Sequence, residues 1–543
     1  MVVVENLAAD KTSGREIVTR PVARRVVALA SGTMASRLTG FLRTLVAAYV
    51  LGFTPFADAF NLANTMPNSL YDFVVGGVIS AAFVSVFVHR LTVDGERKAW
   101  RSISTVVTMT ATVLVAATAL VWIFAPAIVS GITAMHHLDP HRSAEQLAQQ
   151  QAATVSFLRW FAPQIFFYGI FAIASVLLQI RGRFGVAGYA PVANNVVAIA
   201  VLWWFHLAVP HPNVGDTTGT TQFAWFAAIT TLGLVAQCLI VVPSLLRSGL
   251  GRLSFRWNLR DDAVREIARL GGWTLVVVAA NQISLYIVLA MAFGIGGDGP
   301  VTAYTYGWSF MQMPYAVVVL SVLSVIGPEL VALHASGERH AFSERLRQSL
   351  VTSLAVVVPF SVVLMVLAQP ITAVLLNHAD ARQALPVGVA LAVLSAGLPG
   401  FTMYQVGVRA LQAQLRGAEV ALLSIGQNGL AIVLAMTMGR HSLGALMGSI
   451  SISYSVAALA VIVLLWQQGV ELGRGLLDPR LRTVIGISLA GGLAAAVGYS
   501  VRGDTQGFGL ILRLILASLA AITVVGVWFA RYHRRHRSIR VKV

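Results

Sequence analysis

Apolar stretches of about twenty residues follow one another along almost the whole chain, and few of them carry a charge. That is the length an α-helix needs to cross the ~30 Å hydrocarbon core of a bilayer. In lipid, every backbone N–H and C=O must be paired within its own helix or around a closed barrel. Barrel strands would show as alternating segments of about ten residues, half the length seen here. The expected fold class is therefore an all-α integral membrane protein. Composition agrees, with 57% of the 543 residues hydrophobic and 11% charged. Soluble proteins carry about 25% charged residues.

Fourteen spans can be marked, at 24–51, 57–89, 102–133, 153–180, 186–209, 222–246, 271–295, 300–333, 349–368, 385–414, 418–438, 443–466, 483–501 and 508–530. Met1 to Thr19 is polar, and the first apolar run follows Arg24 and Arg25 without a small-residue cleavage pattern, so no cleavable signal is expected. The single cysteine, Cys238, leaves no disulfide within the chain and no Cys-based metal site.

With the N-terminus placed in the cytoplasm, basic residues fall on one side. Inside loops hold Arg90, Arg97, Lys98, Arg101, Arg181, Arg183, Arg247 to Arg269, Arg339, Arg345, Arg347, Arg416, Arg474, Arg480 and Arg482, and the tail adds Arg531 to Lys542. Outside loops hold Arg142, Arg382, Arg440 and Arg502. A miscounted span would invert every later loop, so the segregation supports fourteen spans with both termini cytoplasmic. The net charge of +17 is thereby a topology signal, aided by anionic membrane lipids on the inner face, and not a sign of nucleic-acid binding.

The chain carries an internal repeat. "LLQIRGRFGVAGYAPVANN" (177–195) resembles "QAQLRGAEVALLSIGQNG" (412–429), each with Arg-Gly followed by an amide pair, Asn194-Asn195 and Gln427-Asn428. "ADAFNLANTMPN" (57–68) resembles "TAYTYGWSFMQMPY" (302–315), each reaching Met-Pro. Six spans separate the copies. An even number keeps their orientation, which predicts two parallel six-helix lobes with a site between them.

Polar residues concentrate on the second span. Asp58, Asn61, Thr65, Asn68 and Asp72 recur at spacings of three and four, one face of a helix. Such a face cannot look at lipid. Pro67 interrupts its hydrogen-bond ladder and frees a carbonyl that needs a partner or a wet cavity. The first span carries Arg37 and Arg43, which point ~120° apart and lie ~9 Å apart along the axis. Thr33, Ser36, Thr39, Gly40 and Thr44 widen that face, and the eighth span adds Thr302, Thr305, Ser309 and Gln312. Asn281 and Gln282 put amides in the seventh. Two readings of the arginines stay open: a buried ion pair with Asp58 or Asp72, or the cationic wall of a cavity for an anionic ligand, since a guanidinium fork suits phosphate and carboxylate.

No Walker motif, HExxH or nucleophile elbow occurs, which argues against an ATP-driven pump or a hydrolase. "HHLDPH" (136–141) reads as a solvated loop, and Arg409 with Arg416 as a cytoplasmic helix end.

The run "SRLTGFLR…VLGFTPFADAFNLANTMPN" resembles the start of the MurJ (MviN) family, actinobacterial members most. The matching residues are Ser36, Arg37, Gly40, Phe41, Arg43, Leu51, Gly52, Ala57, Asp58, Ala59, Phe60, Met66, Pro67 and Asn68. "YAPVANN" (189–195), "NQISL" (281–285), "MPYAVVVLSVLSVIGPEL" (313–330) and "RALQAQLR" (409–416) resemble later family blocks in the right order. The resemblance implies the fold of the multidrug/oligosaccharidyl-lipid/polysaccharide exporter superfamily. Two six-helix lobes would enclose a central cationic cavity, and two extra C-terminal helices would shape a lipid groove. On this scheme residues 1–24 are a cytoplasmic tail, 25–248 the N-lobe, 265–468 the C-lobe, 480–532 the extra spans and 533–543 a basic tail.

The implied function is that of a lipid II flippase of the bacterial plasma membrane and not of an enzyme. It would move an undecaprenyl-pyrophosphate-linked saccharide–peptide between leaflets by alternating access. Arg37, Arg43, Asp58, Asn61, Thr65, Asn68, Ser309 and Gln312 are the expected cavity residues, with Asp72 or Asp58 a candidate site for a coupling proton or monovalent cation. No cofactor is expected; the membrane potential is a candidate drive, and proteins of cell-wall synthesis or division are candidate partners. The chain departs from the family pattern where Asp72 and Ser309 stand in place of arginines and Gly76-Gly77 in place of an acidic-Gly pair, so the cavity loses positive charge and gains an acid. The alternatives are a flippase for another polyprenyl-linked saccharide, a cation-coupled antiporter of the same superfamily, or a non-transporting scaffold for cell-wall enzymes.

Overall fold

Proline and glycine punctuate the apolar runs, and they set where the helices of the fold begin, bend and touch. A computed structural model describes residues 15–73, 96–135, 142–210, 212–217, 220–248, 254–258, 262–297, 299–375, 381–471 and 479–500. Among the described residues all regular structure is helical. The N-terminal half contains α1 (Arg15–Leu51), α2 (Pro55–Asp72), α3 (Glu96–Ile123), α4 (Ala125–Ile132), α5 (Ala144–Phe161), α6 (Pro163–Ile180), α7 (Phe184–Ala208) and α8 (Thr221–Leu246). The C-terminal half contains α9 (Asp262–Ile295), α10 (Pro300–Pro314), α11 (Leu320–Ala335), α12 (Arg339–Leu375), α13 (Ala381–Ala413), α14 (Gly417–Thr437) and α15 (Leu443–Gln467), followed by α16 (Pro479–Ser500).

Thirteen of the expected spans meet one of these helices or a broken pair; the fourteenth, 508–530, and the end of the second lie outside the described residues. The fourth span starts earlier than its apolar run. Ser143 and Gln146 form a reciprocal capping box that opens α5, and Pro163 then starts α6. The eighth span is α10 and α11 joined by a π turn at Tyr315–Val319, directly after Pro314.

The packing repeats between halves. In the first, α1 lies on α7, α7 on α8, and α2 on α5; in the second, α9 lies on α14, α14 on α15, and α10 on α13. These are the pairs that a shift of six spans would generate. The amide pairs of the repeat lock equivalent contacts. Asn195 Nδ2 donates to Ser36 O and Thr39 Oγ1, both at 3.0 Å, tying α7 to α1. Asn428 Nδ2 donates to Asn281 Oδ1 at 2.7 Å, tying α14 to α9. Close approach helps: a Cβ on Gly32 of α1 would lie 2.8 Å from the backbone of Gly188 on α7. A cluster of Phe56, Phe60, Phe157, Phe205 and Phe226 fills the first half around α2.

The halves meet where α2 and α10 begin. Phe53 packs edge-on against Tyr306 at 5.8 Å, and Arg142 lies 4.3 Å over the ring of Phe293. After the second half, α16 packs on α12, with Leu367 and Ala495 buried between them.

Candidate functional site: a polar cavity between the halves

The site is built on α2. Thr54 caps it by accepting from the Ala57 N–H at 3.1 Å, and Pro55 occupies the first turn, where its missing N–H costs nothing. Pro67, further along, cannot donate to the carbonyl one turn back. Polar side chains line the same stretch of helix. Thr65 Oγ1 donates to Asn61 O and Asn68 Nδ2 to Asn64 O, both at 2.8 Å.

Beside this helix lies a cavity of about 280 Å³. From α2 it takes Asn61, Asn64, Thr65, Asn68, Ser69 and Asp72, and from α1 Arg43 and Thr44. Gln164 and Tyr168 reach it from α6, Asn194 from α7 and Thr230 from α8. The second half closes it with Leu285 of α9 and with Thr305, Tyr306 and Ser309 of α10. The charged side chains on this wall are Arg43 and Asp72, one of each sign, and the rest of its polarity is carboxamide and hydroxyl.

Six of the nine expected site residues therefore stand on the wall: Arg43, Asn61, Thr65, Asn68, Ser309 and Asp72. Three stand elsewhere. Asp58 shares the stripe but is 1% exposed and sits off the wall. Its Oδ1 accepts from Thr302 N at 2.8 Å and from Thr302 Oγ1 at 2.7 Å. The reason lies in α10. Gly299 caps that helix without a side chain and Pro300 has no N–H, so the first turn has unpaired donors that Asp58 satisfies from the other half. Asn61 Nδ2 donates to the same Thr302 hydroxyl at 3.1 Å. Arg37 is exposed and off the wall, and Gln312 is half-buried and off the wall. No ion pair among the described residues joins Arg37 or Arg43 to Asp58 or Asp72. Of the two readings of the arginines, this geometry supports a cavity wall for Arg43.

The stripe read from the sequence omits Asn64, which lies three residues after Asn61 on the same helix face and could have been found by that spacing. Gln164 and Tyr168 lie four apart on α6 and Thr230 beside Thr231 on α8, and the sequence carries no signal that joins these positions to the α2 stripe.

The family model described as "Lipid II flippase MurJ" matches residues 47–515. A curated relative from Burkholderia cenocepacia, "Lipid II flippase MurJ", is 27% identical over 396 residues, covering 70% of this chain and 72% of that protein. Among solved structures, "Lipid II flippase MurJ, inward closed conformation" superimposes with a TM-score of 0.71 at 17% identity, covering 93% of this chain and 99% of that one. An inward-facing multidrug resistance MATE family transporter of the MOP superfamily gives a TM-score of 0.64 at 17% identity, covering 83% of this chain and 99% of that one. At these identities the two structures speak to the fold.

Proposed function

The chain belongs to the lipid II flippase MurJ family, and from that premise we propose that it moves the undecaprenyl-pyrophosphate-linked precursor of peptidoglycan from the inner to the outer leaflet by alternating access. It is a multi-pass membrane transporter, not an enzyme, and its work is to shelter a polar headgroup across the ~30 Å hydrocarbon core. The observation that carries the reading is a polar cavity between two repeated halves, placed beside a junction that holds them together at one end.

Arginine segregation supports both termini in the cytoplasm, and with them the α1–α2 turn and the start of α10 on the outer side. The Asp58–Thr302 junction is then the outer closure, and the cavity loads from the cytoplasmic side. Parting this junction while the inner ends of the lobes converge would present the same cavity outward. Arg43 supports contact with the pyrophosphate, since a guanidinium fork matches phosphate oxygens. Arg37, exposed on the same helix, meets the headgroup on its way in. Asp58 is committed to Thr302, so a coupling proton or cation falls to Asp72 on the wall. Moving one charge through the membrane potential supplies about 2.3 kcal/mol per 100 mV.

The reading is tested in a depletion strain lacking redundant flippases. Loss of the protein should trap lipid II in the inner leaflet, scored by an externally added reagent that reaches only the outer-leaflet headgroup. Unchanged outer exposure after depletion would overturn the assignment.

A further inference from the structure

Four amides form the two repeat-related pairs, and three of them are used inside the protein. Asn195 is tied to Ser36 and Thr39, Asn428 to Asn281, and Gln427 Nε2 donates to Ser453 Oγ at 3.1 Å. Asn194, the repeat mate of Gln427, differs. It is 8% exposed, it lines the cavity, and no hydrogen-bond partner faces its amide among the described residues. Gly233 makes room for it, since a Cβ there would lie 2.5 Å from Asn194 Oδ1. Asn64 of α2, on the same wall, also has a side-chain amide without a partner among the described residues. Both amides open onto the cavity, so what enters it can pair with them.

We propose that Asn194 and Asn64 form a subsite for the acetamido-bearing sugar of the lipid-linked headgroup, separate from the phosphate contact at Arg43. Asn194 Oδ1 lies against Gly233, which leaves its N–H donors for the C=O of an acetamido group, while the Asn64 carboxamide has both donors and an acceptor to offer. The wall supports the division. Apart from Arg43 and Asp72 its polarity is carboxamide and hydroxyl, groups that suit the hydroxyls and amides of a sugar. At about 280 Å³ it lies just under the ~300–1,000 Å³ of small-molecule pockets, room for one sugar and its substituent and not for the whole headgroup.

This inference rests on the flippase reading and fails separately from it. The purified full-length protein would be titrated in detergent with two probes, lipid II and undecaprenyl pyrophosphate, which has the same phosphates and tail but no sugar. The wild type should bind lipid II more tightly. Asn194→Ala and Asn64→Ala should each weaken lipid II about tenfold and leave undecaprenyl pyrophosphate unchanged, whereas Arg43→Gln should weaken both. Should Asn194→Ala fail to fold, Asn64→Ala carries the same comparison. Equal affinity of the wild type for the two probes, or equal losses on both in the asparagine variants, would overturn the subsite while leaving the flippase standing. A wild type that binds neither probe would sink the flippase reading itself.

Discussion

Asp58 of α2 caps the first turn of α10 from the opposite half of the molecule, its Oδ1 accepting from both the backbone N–H and the hydroxyl of Thr302. A carboxylate at a helix N-terminus is favoured by the helix dipole as well as by these two bonds. Asp58→Ala leaves two buried donors without a partner, a cost of about 1–3 kcal/mol. The thermal midpoint in detergent should fall. A cysteine at Ala57, buried at this junction, should become reachable from outside by an impermeant thiol reagent once Cys238 is replaced. Asp58→Asn retains an acceptor and should show a smaller version of both effects. An Asp58→Ala protein as stable and as closed as the parent would remove the junction from the mechanism.

Gly299, next to that cap, is required twice over. Its φ is +72°, a conformation that side chains beyond glycine resist, and a Cβ there would lie 2.7 Å from the backbone of Phe53 in the other half. Gly299→Ala therefore presses the two halves apart at the α2–α10 junction. The expected result is labelling at Ala57 like that of Asp58→Ala, with transport reduced because the closed state is harder to reach. Wild-type transport and protection of Ala57 in this variant would show that the close approach is not maintained in the membrane.

Arg43 lines the cavity, Arg37 lies exposed on the same helix, and neither has a carboxylate partner among Asp58 and Asp72. A buried ion pair would cost about 3–5 kcal/mol when one member is removed. Arg37→Ala and Arg43→Ala should instead change stability by less than about 1 kcal/mol while abolishing complementation of a depletion strain. Instability in either variant, rescued by neutralising Asp58 or Asp72 as well, would restore the ion pair.

Bilayer thickness is why so much of this fold was legible: it sets helix length, and the arginine pattern sets their alternation. Periodicity gives a face of a helix, however, and not a depth along it. Asp58 and Asp72 lie on one stripe, yet the start of α10 covers the first and leaves the second open. The same limit explains why Gln164, Tyr168 and Thr230 were not foreseen as wall residues. Gln164 and Tyr168 stand on α6 and Thr230 on α8, and only packing brings these helices to one cavity with α2. The choice between ion pair and cavity needed distances, which spacing along one chain cannot supply.

Asp72 is exposed on the cavity wall, with Gln282 of α9 beside it. It is the acid that the sequence resemblance sets where family members often carry arginine. A carboxylate here repels a pyrophosphate unless a proton or cation neutralises it or an arginine pairs with it. No ion pair to Arg37 or Arg43 forms among the described residues, which favours a proton or monovalent cation as the neutralising partner, held at Asp72 in one half of the cycle and given up in the other. Asp72→Asn should then flatten the ion or pH dependence of transport in proteoliposomes while changing lipid II affinity little. Asp72→Arg separates this from simple drift of a phosphate contact, for it abolishes the exchange but restores the family's charge. Coupling predicts that Asp72→Arg stalls transport with substrate bound; drift predicts full activity. A functional Asp72→Asn protein whose ion and pH dependence matches the parent would eliminate the coupling role.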